Sequence, residues 1–255
     1  MIVAVTRAVS PTLAECELTH RPRDPIDVAA AMAEHACYQE ALRSLGATVV
    51  SAPPEPTLPD AVFVEDTALV LDEIAVLTRP GAPTRRPEVA SIAQVLSAYR
   101  SLLRIEPPGT LDGGDVLRVG RTLYVGLSSR TNPVGMSQLE ALLSKWGYEI
   151  VPVEVNGCLH LKSAVTQVAE NKLLINARRV APDCFARMEM IAVAPSEPDG
   201  ANALWLSEGV IYPAHYPETT ERLHRAGLRV VSVPSAEIAK AEGGVTCCSL
   251  LFDVA

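Results

Sequence analysis

Residues 242–252, Glu-Gly-Gly-Val-Thr-Cys-Cys-Ser-Leu-Leu-Phe, place a pair of cysteines between two glycines and an apolar, β-capable run. The glycines let the backbone turn tightly and approach a ligand closely. The run after the cysteines reads as a buried final strand. A thiol where a turn meets a strand is rigidly mounted, and as a thiolate it is a nucleophile. Buried free cysteine is also an ordinary core residue, so Cys247 gains chemical meaning only if a base and an acid stand near it. His160, in Cys158-Leu159-His160-Leu161-Lys162-Ser163, is the candidate for both roles; the other histidines fall in a loop (His20), in helices (His35, His224) and in a turn (His215). A histidine amid apolar residues is equally a packed side chain. Asp112, in Leu111-Asp112-Gly113-Gly114-Asp115, is the candidate carboxylate, although acids beside glycines are common turn formers. Neighbouring strand residues point to opposite faces, so one of Cys247 and Cys248 is expected to face a site while the other packs.

The segments that would bring these groups together recur along the chain. Each unit is read as a short apolar strand, a polar cluster, two further strands and an amphipathic helix. The second copy runs Ala61 to Asp66, Thr67 to Leu71 and Ile74 to Leu77, with a helix from Glu88 to Ser101. The third has Gly109 to Asp115, Val116 to Val119, Thr122 to Val125 and a helix from Met136 to Trp146. The fourth has Cys158 to Ser163, Ala164 to Val168 and Lys172 to Ile175. The fifth begins at Ala201 and carries Gly209 to Tyr212 and a helix from Glu218 to Ala226. The first begins at Ile2, and its helix, Val28 to Leu45, stops at Gly46. Equivalent clusters fall roughly 40–50 residues apart, a period of blades or other radial repeats. In a radial arrangement the clusters at Asp60 to Asp66, Asp112 to Asp115, His160 to Ser163, Asn202 and Glu242 to Cys248 converge on one centre. No linker or composition break divides the chain, so residues 1–255 are expected to form one catalytic domain.

Composition narrows the function classes. A net charge of -8 argues against nucleic acid or an anionic membrane as partner. The first residues, MIVAVTRAV, lack the marks of a secretory signal, and no run approaches a membrane span. Six cysteines without a C-x-x-C pair predict reduced thiols, a cytoplasmic location and no structural metal. Oligomeric state is not fixed by the sequence, which leaves a homodimer open.

Taken together, seven segments resemble the dimethylargininases, the dimethylarginine dimethylaminohydrolases of the guanidino-group-modifying, amidinotransferase-like superfamily. They are Glu17-Leu18-Thr19-His20; Pro59 to Thr67; Thr78 to Pro83 with Arg85-Arg86; Leu111 to Asp115; Val125 to Ser128 with Arg130-Thr131-Asn132; His160 to Ser163; and Gly243 to Ser249. They run in register over nearly the whole chain. The resemblance implies an α/β fold, a five-bladed pseudo-symmetric α/β propeller of ββαβ-type repeats around a central site. It implies Cys247 as nucleophile, His160 as acid and base, and Asp112 as the carboxylate that orients the histidine. It further implies that Asp66 grips the guanidinium, with Glu65 and Phe63 lining the pocket. Arg85 and Arg130 would hold the substrate α-carboxylate, and Asp60 with the carbonyls of Leu18 and Ala241 the α-ammonium. Ala241 is small where relatives carry branched aliphatics.

The chemistry expected of such a set is covalent hydrolysis of N-ω-methylated arginines to citrulline, with no cofactor. A carboxylate matches a guanidinium in a two-point contact, and two arginines fix a carboxylate's direction; without the pattern, Arg85 and Arg130 read as solvated surface. Arginine deiminase-like hydrolysis of arginine or agmatine, and amidino transfer, use the same residues. A silent binding protein for arginine-like metabolites would have no use for Cys247 with His160. A metal site of Cys247, Cys248 and His160 is disfavoured because adjacent strand cysteines make poor joint ligands. Lys162 stands where arginine deiminases carry the aspartate of a His-x-Asp pattern. It is expected to turn away from a guanidinium.

Overall fold

A computed structural model describes residues 1–254. The first unit contains β1 (Ile2–Thr6), α1 (Val28–Ser44) and β2 (Thr48–Ser51). The second has β3 (Ala68–Val70), β4 (Ile74–Leu77), α2 (Glu88–Leu96) and β5 (Ser101–Arg104). The third has β6 (Val116–Val119), β7 (Thr122–Leu127), α3 (Pro133–Leu143) and β8 (Glu149–Glu154). In the fourth, β9 (Val165–Ala169), β10 (Lys172–Ile175) and β11 (Glu189–Ala192) follow one another. The fifth has β12 (Leu204–Leu206), β13 (Gly209–Pro213), α4 (Pro217–Arg225) and β14 (Val230–Val233), after which come α5 (Ala236–Lys240) and β15 (Leu250–Asp253).

These strands form five separate three-stranded sheets, the blades of an α/β propeller. In each, the middle strand pairs antiparallel with the strand on one side and parallel with the strand that follows it in the chain on the other. The first blade is closed by the end of the chain: β15 pairs antiparallel with β1, setting Ile2 against Asp253 and Val5 against Leu250. Ring closure thereby removes the free edge that an open array of blades would leave. Middle strands such as β4 and β13 are buried throughout, whereas β2, β5 and β11, each at the edge of its sheet, are exposed at both ends. Local signals set the helix ends. The Asp27 carboxylate caps α1 through the Ala30 amide, Asn132 caps α3 through Gly135, and Gly46 leaves α1 at a φ of +88°.

Several expected elements differ. The run that opens a unit is a strand in the first (Ile2–Thr6) and, at its end, in the fifth (Leu204–Leu206), but not in the other three: Val64–Thr67, Gly113–Asp115 and Leu161–Ser163 are 3-10 turns, because their polar groups bond to other blades and not to a ladder. Cys247 and Cys248 likewise lie in a turn before β15 and not within a strand. α2 ends at Leu96 and gives way to β5 at Ser101; α3 begins at Pro133, and its last part, Ser144–Trp146, is 3-10. The fourth blade carries only a 3-10 turn, Pro182–Phe185, where the others carry a helix.

The turns at the centre bond to one another in a closed ring. The Gly114 amide donates to Asp66 Oδ1 (2.9 Å) and the Leu161 amide to Asp115 Oδ1 (3.0 Å). Asn202 Nδ2 donates to the Lys162 carbonyl (3.1 Å) while its Oδ1 accepts from the Thr246 amide (3.0 Å). The Glu65 amide then donates to the Cys247 carbonyl at 3.1 Å. Each blade thus fixes the next, and the functional turns share one rigid frame. No helix among the described residues is long and apolar enough to cross a membrane.

Candidate active site

The ring of turns has a cleft on one side, lined by Asp60, Phe63, Asp66, Arg85, Arg130, His160, Ala241 and Cys247 together with Glu17, Leu159, Glu242 and Gly243. On its other side lies a cavity of about 260 Å³ walled by residues of β3, β6, β9, β12 and β15, in each blade the strand that pairs antiparallel with the middle one.

His160 occupies the start of its turn and is buried. Its Nε2 lies 3.0 Å from Asp112 Oδ2, and its Nδ1 is turned toward Asp66 Oδ1 at 3.9 Å. Asp112 is wholly buried and is held in place by the Gly81 amide at its Oδ1 (2.8 Å). Burial works against the imidazolium, but Asp66 and the bond to Asp112 outweigh it and raise the His160 pKa to about 9. At neutral pH this histidine is therefore a loaded proton donor. Gly114 is required at the contact: a Cβ there would stand 2.6 Å from His160 Nδ1 and 2.8 Å from Asp66 Oδ1.

Cys247 Sγ accepts the Gly244 amide at 3.3 Å and faces the cleft. Burial first, then the nearby Glu65 and Asp66 carboxylates, push its thiol up to about 12. Cys248 takes the opposite course: its Sγ donates to the Gly244 carbonyl, and it lines a small cavity with His35 and Tyr38. The two thiols part because the turn splays them, not because of strand alternation.

Asp66 is gripped from both ends. Its Oδ1 accepts from Gly114 and its Oδ2 from Arg85 Nη1 at 2.6 Å. Burial alone would raise its pKa, yet His160 and Arg85 hold it well below the usual carboxylate range. Arg130 has a different setting: Nη2 donates weakly to Thr19 Oγ1 (3.3 Å), and Nη1 makes no hydrogen bond to the described residues but lies 3.7 Å from Asp112 Oδ2 as an ion pair. Asp60 accepts from the Glu17 amide at 3.1 Å. Leu18 itself packs half-buried against the apolar cluster of the first blade and does not line the cleft. Glu65 is also outside it. Its carboxylate lines the axial cavity, bonded to Lys162 Nζ (2.6 Å) and Thr246 Oγ1 (2.8 Å). Lys162 does turn away from the cleft, toward that partner.

In the sequence, Glu88 is only the start of a helix and Glu242 only the head of the Glu242 to Cys248 cluster, with no role for either side chain. Glu88 stands at the start of α2 and binds Arg85. Glu242, at a φ of +57°, accepts the amides of Thr19 (2.8 Å) and His20 (2.6 Å) and so ties the 17–23 loop over the cleft. In the sequence its only signal was an acid placed directly before Gly243-Gly244; the left-handed backbone of Glu242 is visible only in the fold. Asp66, Asp112 and His160 offer ligand atoms within 4.8 Å of one another, but those atoms are engaged in the acid–base and Arg85 pairings just described.

A family model described as N,N dimethylarginine dimethylhydrolase, eukaryotic, matches residues 19–199. The N(G),N(G)-dimethylarginine dimethylaminohydrolase of Pseudomonas aeruginosa is 38% identical over 228 residues, 89% of this chain and 90% of that one. The chain belongs to the dimethylarginine dimethylaminohydrolase family. The Pseudomonas aeruginosa dimethylarginine dimethylaminohydrolase, solved as a cysteine-to-serine variant with citrulline, superposes with a TM-score of 0.93 at 36% identity, covering 98% of both chains. A dimethylarginine dimethylaminohydrolase with histidine replaced by glycine, solved as an adduct with S-methyl-L-thiocitrulline, gives 0.93 at 36% identity, covering 99% of this chain and 100% of that one. The propeller is thus that of this hydrolase family.

Proposed function

We propose that residues 1–255 act as one catalytic unit, a hydrolase that converts asymmetric dimethylarginine and monomethylarginine to citrulline and the free alkylamine. One observation carries this reading: the Asp112–His160 pair, the Asp66 carboxylate and the Cys247 thiol share one buried cleft. Together they supply a proton donor, a cation grip and a nucleophile.

With His160 charged and Cys247 neutral at rest, the incoming guanidinium is the missing charge. Its binding beside Asp66 favours the thiolate, and the thiol proton leaves to solvent. The Cys247 thiolate adds to the guanidinium carbon, and His160 protonates the substituted nitrogen as the C–N bond breaks. Neutral alkylamine departs and leaves a cationic thiouronium on Cys247. Neutral His160 then takes a proton from water, whose oxygen adds to the same carbon. The C–S bond breaks, thiolate is regenerated, and the new hydroxyl loses its proton to give citrulline. The Gly244 amide at Sγ stabilises sulfur anion in both halves. Arg130, with donors to spare, faces the α-carboxylate, and Asp60 with the Ala241 carbonyl faces the α-ammonium. Arg85 has one unspent hydrogen for the same carboxylate.

Methylated substrates are preferred because Asp66 is the only carboxylate free for the guanidinium, Lys162 having replaced a second one. A carboxylate stranded against methyl groups would cost roughly 1–3 kcal/mol. Incubation with asymmetric dimethylarginine, monomethylarginine, arginine and agmatine, with citrulline or carbamoyl product measured, tests the reading through kcat/KM. A ratio favouring arginine would assign the chain to arginine deiminase chemistry instead.

A further inference from the structure

Asp115 is wholly buried and does not line the cleft, yet both members of the acid–base pair are tied to it. Its own amide donates to the Asp112 carbonyl at 3.0 Å. Its side chain reaches into the next blade, where Oδ1 accepts the Leu161 amide at 3.0 Å, the first N–H after His160. Oδ2 accepts the Ser128 hydroxyl at 2.6 Å. Ser128 Oγ accepts in turn the amides of Arg130 (3.0 Å) and Thr131 (3.3 Å), and the Thr131 hydroxyl accepts the Asp112 amide at 3.1 Å. Asp112 is thus held to Asp115 from both sides, through its carbonyl and through its amide. His160 is held through the residue that follows it.

We infer that Asp115 is a positioning residue for the His160–Asp112 pair, its carboxylate setting the spacing between the turn that carries the histidine and the turn that carries its partner. Among the described residues two hydrogen bonds join these turns, His160–Asp112 and Leu161–Asp115. The first belongs to a ring that must release and regain a proton in the proposed reaction. The second involves no transferred proton, so it keeps the two turns in register through both halves of a turnover. Charge is part of the role. Asp66, Asp112 and Asp115 are the three acids around the His160 ring, and each favours the imidazolium. Burial pushes the Asp115 carboxyl up to about 6, with His160, Ser128 and Thr131 opposing burial and Asp112 adding to it; Cys158 is the other titratable group facing it. At neutral pH it is therefore mostly ionised and can accept at both oxygens. The inference rests on the proposed role of His160 as proton donor.

The test follows His160 by NMR in the full chain without substrate, beside steady-state kinetics with monomethylarginine. Asp115→Asn keeps the shape of the side chain and removes its charge and one acceptor oxygen. In that variant the His160 pKa should fall from about 9 to roughly 8. The downfield proton of Nε2–H bonded to Asp112 should broaden or move. kcat should drop roughly tenfold to a hundredfold, with KM changed less than about threefold. Glu197→Gln is the control for a purely structural carboxylate: Glu197 is also buried and accepts two amides, of Glu218 (2.9 Å) and Thr219 (2.7 Å), away from the cleft. It should lower the melting temperature and leave the His160 titration and kcat in place. An unchanged His160 titration in Asp115→Asn, or a kcat loss equalled in Glu197→Gln, would overturn the inference. Should Asp115→Asn fail to fold, Ser128→Ala decides, since it keeps the Asp115 charge and frees Oδ2; an undisturbed downfield proton there would equally overturn it. If the unaltered protein formed no citrulline, the proposed reaction would fall while the His160 titration still tested Asp115, so the two failures are distinguishable.

Discussion

Lys162 Nζ stands 2.6 Å from Glu65 Oε1, and both residues line the axial cavity and not the cleft that holds Cys247. The pair closes the floor between the two spaces, with Thr246 Oγ1 on the other Glu65 oxygen. Both side chains are mostly buried, so neither charge can fall back on water if its partner is removed. Lys162→Met is therefore expected to destabilise the fold by roughly 3 kcal/mol. Adding Glu65→Gln should recover much of that loss. Urea denaturation of the single and double variants checks it; an additive double variant would show that the two residues are not coupled.

Cys247→Ser should lower turnover by roughly a thousandfold or more, because a hydroxyl in this setting is a far weaker nucleophile. Cys248→Ser should keep most activity, since that side chain can still donate to the Gly244 carbonyl on the core side of the turn. Steady-state citrulline formation by both variants distinguishes them. A dead Cys248 variant beside an active Cys247 variant would reverse the assignment.

Gly114→Ala should preserve the fold and cripple the site. The new methyl would stand 2.6 Å from His160 Nδ1 and 2.8 Å from Asp66 Oδ1, so both side chains must move by several tenths of an ångström. Displacements of that order cost on the order of 100-fold in rate. The expected signature is a large fall in kcat with a near-normal melting temperature.

The free thiol of Cys247 is pushed up to about 12 and His160 up to about 9. Alkylation of Cys247 by neutral iodoacetamide should therefore keep rising with pH beyond 9. An unreactive cationic guanidine bound beside Asp66 should shift Cys247 ionisation downward, read from thiolate absorbance. A plateau below pH 8 in the free protein would contradict the resting state of thiol and imidazolium.

Acid stability should turn on His35, which shares the small cavity behind the cysteine turn with Cys248 and does not line the cleft. Both of its ring nitrogens lack partners, and burial lowers its pKa from 6.5 to about 4. The unfolded chain takes up this proton first as pH falls. The associated stability is thus full above pH 6.5 and is lost toward pH 4, by about 3 kcal/mol in all. His35→Phe should flatten that slope in melting temperatures measured from pH 7 to 4. An unchanged slope would place the acid sensitivity elsewhere.

By itself the sequence determined the repeat, the helix caps and the chemical inventory, because those depend on local spacing. Alternating apolar runs, Asp27, Asn132 and Gly46 act within a few residues of their own positions, and the polar clusters recur at blade length. The period pointed to radial repeats, and the family resemblance supplied the five-bladed propeller and the site residues Cys247, His160, Asp66, Asp60, Phe63, Arg130 and Ala241, all of which line one cleft. Tertiary structure alone decided the partners. Glu65 and Lys162 lie 97 residues apart and Glu65 and Thr246 lie 181 apart, and Arg85 reaches Asp66 from another turn of its own blade. No local periodicity records which buried charge meets which, since that pairing depends on how closed blades meet at the axis. For the same reason the runs that open the second, third and fourth units end in 3-10 turns: their amides and carboxylates satisfy one another across blades, and that demand outweighs strand propensity.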